Sequence, residues 1–167
     1  KLAEYLEGVD NTTGLSWSCV GIEDGMLVEM GCGLSTKIAL KVSKELPASA
    51  AYLFCGHGHG AAYLGLVDDP DDLMSAVFLM GCSSGALSYK DEYEPRGVPL
   101  ELLARGAPVV VAMLWDVTDR DIDRITIKIC RSMAKNPSRP IPDILNTSRM
   151  KAKLRKLNGA ASVCYGL

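Results

Sequence analysis

The sequence predicts an α/β sandwich, a mainly parallel sheet with helices on both faces, and three observations lead there. The apolar runs at 50–55, Ala76–Met80 and 109–114 are continuous rather than alternating, as strands covered on both faces are. Stretches with helical periodicity lie between and after them. Each run ends in glycine or a polar turn and then in a chemically capable side chain, which places such groups at one edge of a parallel sheet.

In chain order, residues 1–33 are punctuated by glycines at 14, 21, 25, 31 and 33, and the one strand candidate is 15–22, with Trp17 and Val20 buried. Ser35 and Thr36 open a helix whose Ile38, Ala39, Val42 and Leu46 share a face. Leu34 and Ile38 fit a hydrophobic staple, and Pro47 ends the helix. The strand at 50–55 follows, then a surface turn at 68–72 (DDPDD), then 73–75 leading into the strand Ala76–Met80. A polar loop at 88–96 precedes a short helix that Pro99 starts and Gly106 terminates. The strand at 109–114 (VVVAML) runs into Trp115, Asp116, Val117, Thr118 and Asp119. The next helix carries Ile122, Ile125, Ile129 and Met133 on one face, with Asp119, Asp121 and Asp123 at its positive N-terminal end. After a loop at 136–142, a basic helix over 143–157 precedes Gly159 and the apolar close ASVCYGL. Its run of Arg149, Lys151, Lys153, Arg155 and Lys156 reads first as a solvated face and second as a dock for acidic partner segments.

Bulk properties narrow the function. A chain of 167 residues fits one domain, large enough to bury about 70% of the surface its unfolded form exposes. With 48% apolar and 23% charged residues and a formal charge of −2, the composition is that of a soluble globular protein and makes no general case for nucleic-acid binding. No apolar run reaches the ~18 residues a membrane span needs, and no secretory leader is visible. The 6 cysteines (Cys19, Cys32, Cys55, Cys82, Cys130 and Cys164) are scattered without a CxxC pair. That argues against a zinc ribbon or redox dithiol and for a reducing compartment. The chain opens at Lys1 rather than at methionine, as a piece cut from a longer protein does.

His57, Cys82 and the carboxylates between Asp116 and Asp123 each follow a strand at the same sheet edge. A cysteine protease needs a thiolate, a proton donor for the departing amine and donors to the oxyanion. Cys82 supplies the first and His57 the second; the backbone N–H groups of Gly58 and Cys82 supply the third, since glycine permits close approach. The small Ser83, Ser84 and Gly85 leave room for a peptide. A cysteine after a buried strand is ordinarily structural, and a histidine in a glycine loop is ordinarily a turn residue. Their pairing at two strand ends, inside GHGHG and GCSSG, is what favours chemistry. Cys55, His57, His59 and Cys82 have the atom types of a zinc site but not its spacing. The glycine loop lacks the Lys and Ser/Thr of a P-loop.

CGHGHGAAY at 55–63, MGCSSGAL at 80–87, LWDVTDRDID at 114–123 and the closing NGAASVCYGL together resemble, in order and spacing, the separase family of caspase-like proteases that cleave cohesin. The resemblance covers residues 50–167, leaves 1–47 poorly matched, and is most specific in LWDVTDRDID. It implies a three-layer caspase-like sandwich forming one protease domain over 1–167, with His57 as catalytic histidine, Cys82 as nucleophile, an oxyanion hole from Gly58 and Cys82, and no cofactor or metal. Separases cut after arginine and favour an acidic residue three positions earlier, so the resemblance also implies a carboxylate in the pocket. Asp123 is the first choice and Asp116 the second, with Trp115 and Ser83 also contacting substrate. Asp119 and Asp121 are expected only to cap the helix and favour its dipole. His59 stands at the variable place of GHGxG, where a small residue would be easier to understand.

The family setting implies the kleisin subunit of cohesin as substrate and securin as an inhibitory pseudosubstrate, with no nucleic-acid motif and no membrane. It implies a cytoplasmic and nuclear protein working on chromosomes and in the spindle region at anaphase. A CHAT-type caspase-like protease and a non-catalytic peptide-binding scaffold are the competing functions.

Overall fold

Because the apolar runs are covered on both sides, they stack as neighbours in one sheet. Strands β1 (Trp17–Val20), β2 (Ala51–Cys55), β3 (Ala76–Met80) and β4 (Val109–Met113) are parallel, and β5 (Ser162–Gly166) lies antiparallel to β4, in the order β1-β2-β3-β4-β5. The structure, a computed structural model, describes residues 17–20 (backbone only), 51–56, 58, 60, 75–89 and 94–166. The expected helix at 35–46, the turn at 68–72 and the burial of Trp17 and Val20 lie outside the described residues, as do His57 and His59.

Alternate side chains of β2, β3 and β4 feed two cores. On one face Leu53, Phe78, Met80, Val111 and Met113 pack against Ile122, Ile125 and Ile129 of helix α2 (Asp119–Lys135) and Ile144 and Leu145 of helix α3 (Ile141–Ser148). On the other, Tyr52, Phe54, Val77, Leu79, Val110 and Ala112 pack against Leu102 of helix α1 (Val98–Ala104). Fully burying one such side chain is worth about 1.5–3 kcal/mol. Two cores on opposite faces make the three-layer α/β sandwich that the sequence predicts. Helix α1 has Pro99 in its first turn, and its carboxyl end runs into Gly106, whose φ is 97°. The loop between β3 and α1 is closed by mutual backbone hydrogen bonds between Ser88 and Arg96, 2.8 and 2.9 Å. Among the described residues no helix is long and apolar enough to cross a membrane.

Two local expectations are corrected. The helix expected over 143–157 stops at Ser148, continues as a 3₁₀ turn at Arg149–Lys151 and then breaks before a π-helical turn at Arg155–Gly159. The cause is tertiary: the N–H groups of Lys153 and Leu154 donate to the carboxylate of Asp121 rather than to a preceding helical turn. Arg149, read with the solvated basic face, turns inward and donates to the carbonyls of Gly159, Ala160 and Ser162. Lys151, Lys153, Arg155 and Lys156 are exposed. The apolar close forms the antiparallel strand β5, whose Val163 and Cys164 pair with Ala112 and Val111.

Candidate active site

With β2, β3 and β4 parallel, the loops after Cys55, Met80 and Met113 leave the sheet at one edge. What brings the first two together is glycine. A Cβ on Gly81 would fall inside contact distance of the Gly58 carbonyl oxygen and 2.8 Å from that of Gly56. The chain on either side of His57 therefore lies against the residue before Cys82. The same loop is moulded over the Phe54 ring, which a Cβ on Gly56 would approach to 2.9 Å and one on Gly60 to 2.8 Å. Gly58 differs from both: it is exposed, has a φ of 74°, and faces open space. That left-handed conformation is one only glycine adopts freely.

Cys82 is half-buried, and its thiol donates a hydrogen bond to the Val117 carbonyl at 3.3 Å. The turn after it is held tightly. Ser83 has a φ of 56°, an arrangement that costs a non-glycine residue about 1–3 kcal/mol. It is secured by its N–H to the Trp115 carbonyl (3.3 Å) and by its hydroxyl to Oδ1 of Asp116 (2.6 Å). Ser84 Oγ donates to the Leu79 carbonyl (2.6 Å) and accepts from the Met113 N–H (3.0 Å), tying β3 to β4 beneath the turn. The Gly85 N–H donates to the Met113 carbonyl (2.7 Å), while its own carbonyl accepts from the Tyr165 hydroxyl (2.7 Å). The smallness of Ser84 and Gly85 thus serves packing: both are buried, and a Cβ on Gly85 would meet that of Ala112 at 3.0 Å. The expectation that they leave room for a peptide is corrected for these two.

The structure brings Ser83, Trp115 and Asp116 together beside Cys82. Trp115 and Asp116 are exposed. Asp123 stands exposed on α2; desolvation by the surrounding chain, and then the carboxylate of Asp119 one turn earlier, push its carboxyl above the usual range. Among the described residues neither Asp119 nor Asp123 is ion-paired. Asp121 does not cap its own helix as expected. It is buried, and its carboxylate accepts from Arg124 (2.6 Å), the Lys153 N–H (2.8 Å), Asn158 Nδ2 (2.8 Å) and the Leu154 N–H (3.2 Å). Burial raises its pKa, but these hydrogen bonds outweigh that effect and hold the carboxyl well below the ordinary range.

Sequence reasoning missed Gly81, Ser84, the Val117 carbonyl, Asp121, Asn158 and Tyr165 as supports of this site. Only Gly81 carries a local signal, a glycine between a buried strand and a candidate nucleophile.

Residues 38–122 match the family model for the separin protease domain. The match begins inside the stretch that the sequence reading left poorly matched. The separin of Schizosaccharomyces pombe is 44% identical over 132 residues, 74% of this chain and 7% of that protein. The separin of Mus musculus is 36% identical over 129 residues, 76% of this chain and 6% of that one. In structure, the chain resembles the crystal structure of the Saccharomyces cerevisiae separase–securin complex, with a TM-score of 0.67 and 36% identity over 77% of this chain and 9% of that one. Fold and likeness define a protease domain of the caspase-like α/β class. Within that class, the chain belongs to the separin protease-domain family. It spans about 7% of the length of curated relatives it matches.

Proposed function

We propose that this chain is the catalytic portion of a cysteine endopeptidase that cuts after arginine, at Glu-x-x-Arg sites in the kleisin subunit of cohesin, and so triggers sister-chromatid separation. The observation that carries the reading is the packing of Gly56 and Gly58 on Gly81. It sets the loop of His57 against the head of the Cys82 turn.

In this reading His57 takes the Cys82 thiol proton as the sulfur attacks the scissile carbonyl carbon, and the oxyanion is met by the backbone N–H groups of Cys82 and Gly58. The N–H groups of Ser83, Ser84, Gly85 and Ala86 are occupied by the Trp115, Gly81, Met113 and Ser83 carbonyls, so these do not compete for that role. His57 protonates the departing amine as the carbon–nitrogen bond breaks, leaving an acyl-enzyme. It then accepts a proton from the water that hydrolyses the thioester and returns Cys82 to its thiol. Removing one oxyanion donor typically costs ~10²–10³ in rate.

Asp123 is the pocket carboxylate of choice. With Asp119 it forms a pair of like charges that a guanidinium would relieve. Asp116 is less available, because Ser83 already occupies its Oδ1. Asp123→Ala is expected to lower kcat/KM for an arginine peptide about 10²-fold, the usual loss for a desolvated charge pair, with the thermal midpoint almost unmoved because Asp123 is exposed. An unchanged preference for arginine would move the pocket to another carboxylate.

The S. cerevisiae structures it resembles are separase–securin complexes, which supports securin as an inhibitory pseudosubstrate. The setting is the cytoplasm and nucleus, at chromosomes and the spindle region in anaphase. The direct test is labelling with an arginine-containing thiol-reactive peptide. A protease modifies Cys82 selectively and stoichiometrically, whereas a peptide-binding scaffold gives no preference for Cys82 over the other cysteines.

A further inference from the structure

We propose that Asp121 and Asn158 are positioning residues for Cys82, acting through the Val117 carbonyl. The inference rests on Cys82 being the reactive thiol of the protease reading, yet thiol chemistry tests it without any peptide cleavage. The path is continuous. The Asp121 carboxylate binds Asn158 Nδ2 at 2.8 Å, and the same amide nitrogen donates to Thr118 Oγ1 at 3.0 Å. The Thr118 carbonyl in turn accepts the N–H groups of Asp121 (2.9 Å) and Ile122 (3.1 Å), so side chain and backbone of Thr118 are both tied into the start of α2. Val117 is the residue before it, buried at 6% exposure, and its carbonyl accepts the Cys82 thiol at 3.3 Å.

The knot is built for permanence. Asp121 and Asn158 are 1% and 2% exposed, and the carboxylate draws donors from α2 and from three places in the 153–158 segment. A buried charge that has lost part of such a set is strongly destabilising, so the arrangement has one low-energy geometry. A carbonyl that accepts an S–H aims the sulfur and holds it against the backbone. The knot therefore holds Cys82 in a defined resting orientation, from which a substrate must draw it. Loosening the knot frees the Val117 carbonyl and releases the Cys82 sulfur from that fixed aim.

The experiment is site-resolved alkylation of the chain with iodoacetamide across pH, read by mass spectrometry. In Asn158→Ala and Asp121→Asn, where the Val117 carbonyl no longer holds the sulfur in place, Cys82 is expected to react threefold or more faster at neutral pH. Thr118→Val, which removes only the acceptor for Asn158, is expected to raise the Cys82 rate in the same direction by less. Buried Cys130 reports on the fold and is expected to stay protected throughout. Among the described residues, the titratable groups on elements around Cys82 are Asp116, which accepts the Ser83 hydroxyl, and Asp119 and Asp123 on α2; all are unchanged in these variants. Arg124 loses its partner only in Asp121→Asn.

An unaltered Cys82 profile with Cys130 protected overturns the proposal. So does a change in Cys82 that appears only when Cys130 becomes reactive, since that marks plain unfolding. If the two core variants do not fold, Thr118→Val decides alone. Absence of arginine-peptide cleavage by the unmodified chain would count against the protease reading, and the alkylation profiles would still decide this one.

Discussion

Replacing Cys82 by serine is expected to reduce cleavage of a Glu-x-x-Arg peptide by ~10⁴ or more while the fold is retained. The size follows from the chemistry. A thiol ionises near pH 8.5 and a serine hydroxyl far higher, and losing one member of a catalytic unit costs nearly as much as losing the whole. The fold is spared because the residue is half-buried and a serine hydroxyl can make the same hydrogen bond to the Val117 carbonyl. The check is kcat/KM beside the thermal midpoint. Retained cleavage by a folded Cys82→Ser chain would assign the nucleophile elsewhere.

The second large effect is expected at Gly81. Its missing side chain is the space that the carbonyls of Gly56 and Gly58 occupy, and both are backbone groups that cannot rotate aside. Gly81→Ala must therefore move either the histidine loop or the head of the Cys82 turn. The Cys82 turn is pinned by Ser84 to β3 and β4, so the histidine loop yields. Overpacking of this kind costs about 1–3 kcal/mol of stability. Displacing a catalytic group by an ångström costs on the order of 10² in rate. The expected result is a chain still folded at 25 °C whose Cys82 still reacts with iodoacetamide but whose kcat has fallen at least a hundredfold. Activity within a few-fold of the unmodified chain would show that this contact does not set the distance between the two loops.

These two predictions differ in how far the sequence alone leads to them. Cys82 stands out because a continuous apolar strand ends one residue before Gly81 and a reactive side chain follows, a pattern written within a few neighbouring positions. Gly81 is visible as a glycine, but nothing near it in sequence says that its missing Cβ is filled by the carbonyls of another strand's loop. The same contrast holds for the aspartates. Helical periodicity puts Asp119, Asp121 and Asp123 together at the start of α2, and composition alone reads them as equivalent. In the structure Asp121 is buried against the 153–158 segment, Asp123 is exposed but its pKa is raised by desolvation and then by Asp119, and Asp116 is held by Ser83.

The sequence by itself determined the α/β class, the positions of β2, β3 and β4, the helix with Ile122, Ile125 and Ile129 on its buried face, and the nucleophile candidate with its resemblance to separases. Each of these depends on periodicity, capping or a short motif, whose physical causes act over a turn or a strand length. Only the tertiary structure decided where the basic helix breaks, that the chain closes as an antiparallel strand, that Ser84 and Gly85 pack inward, and that a buried carboxylate stands two residues before the pocket candidate. Those outcomes depend on hydrogen bonds between residues far apart in the chain, such as Asn158 with Asp121 and Tyr165 with Gly85. Local pattern holds no record of such a bond, because its partner is chosen by the packing of the sheet and not by neighbours along the chain.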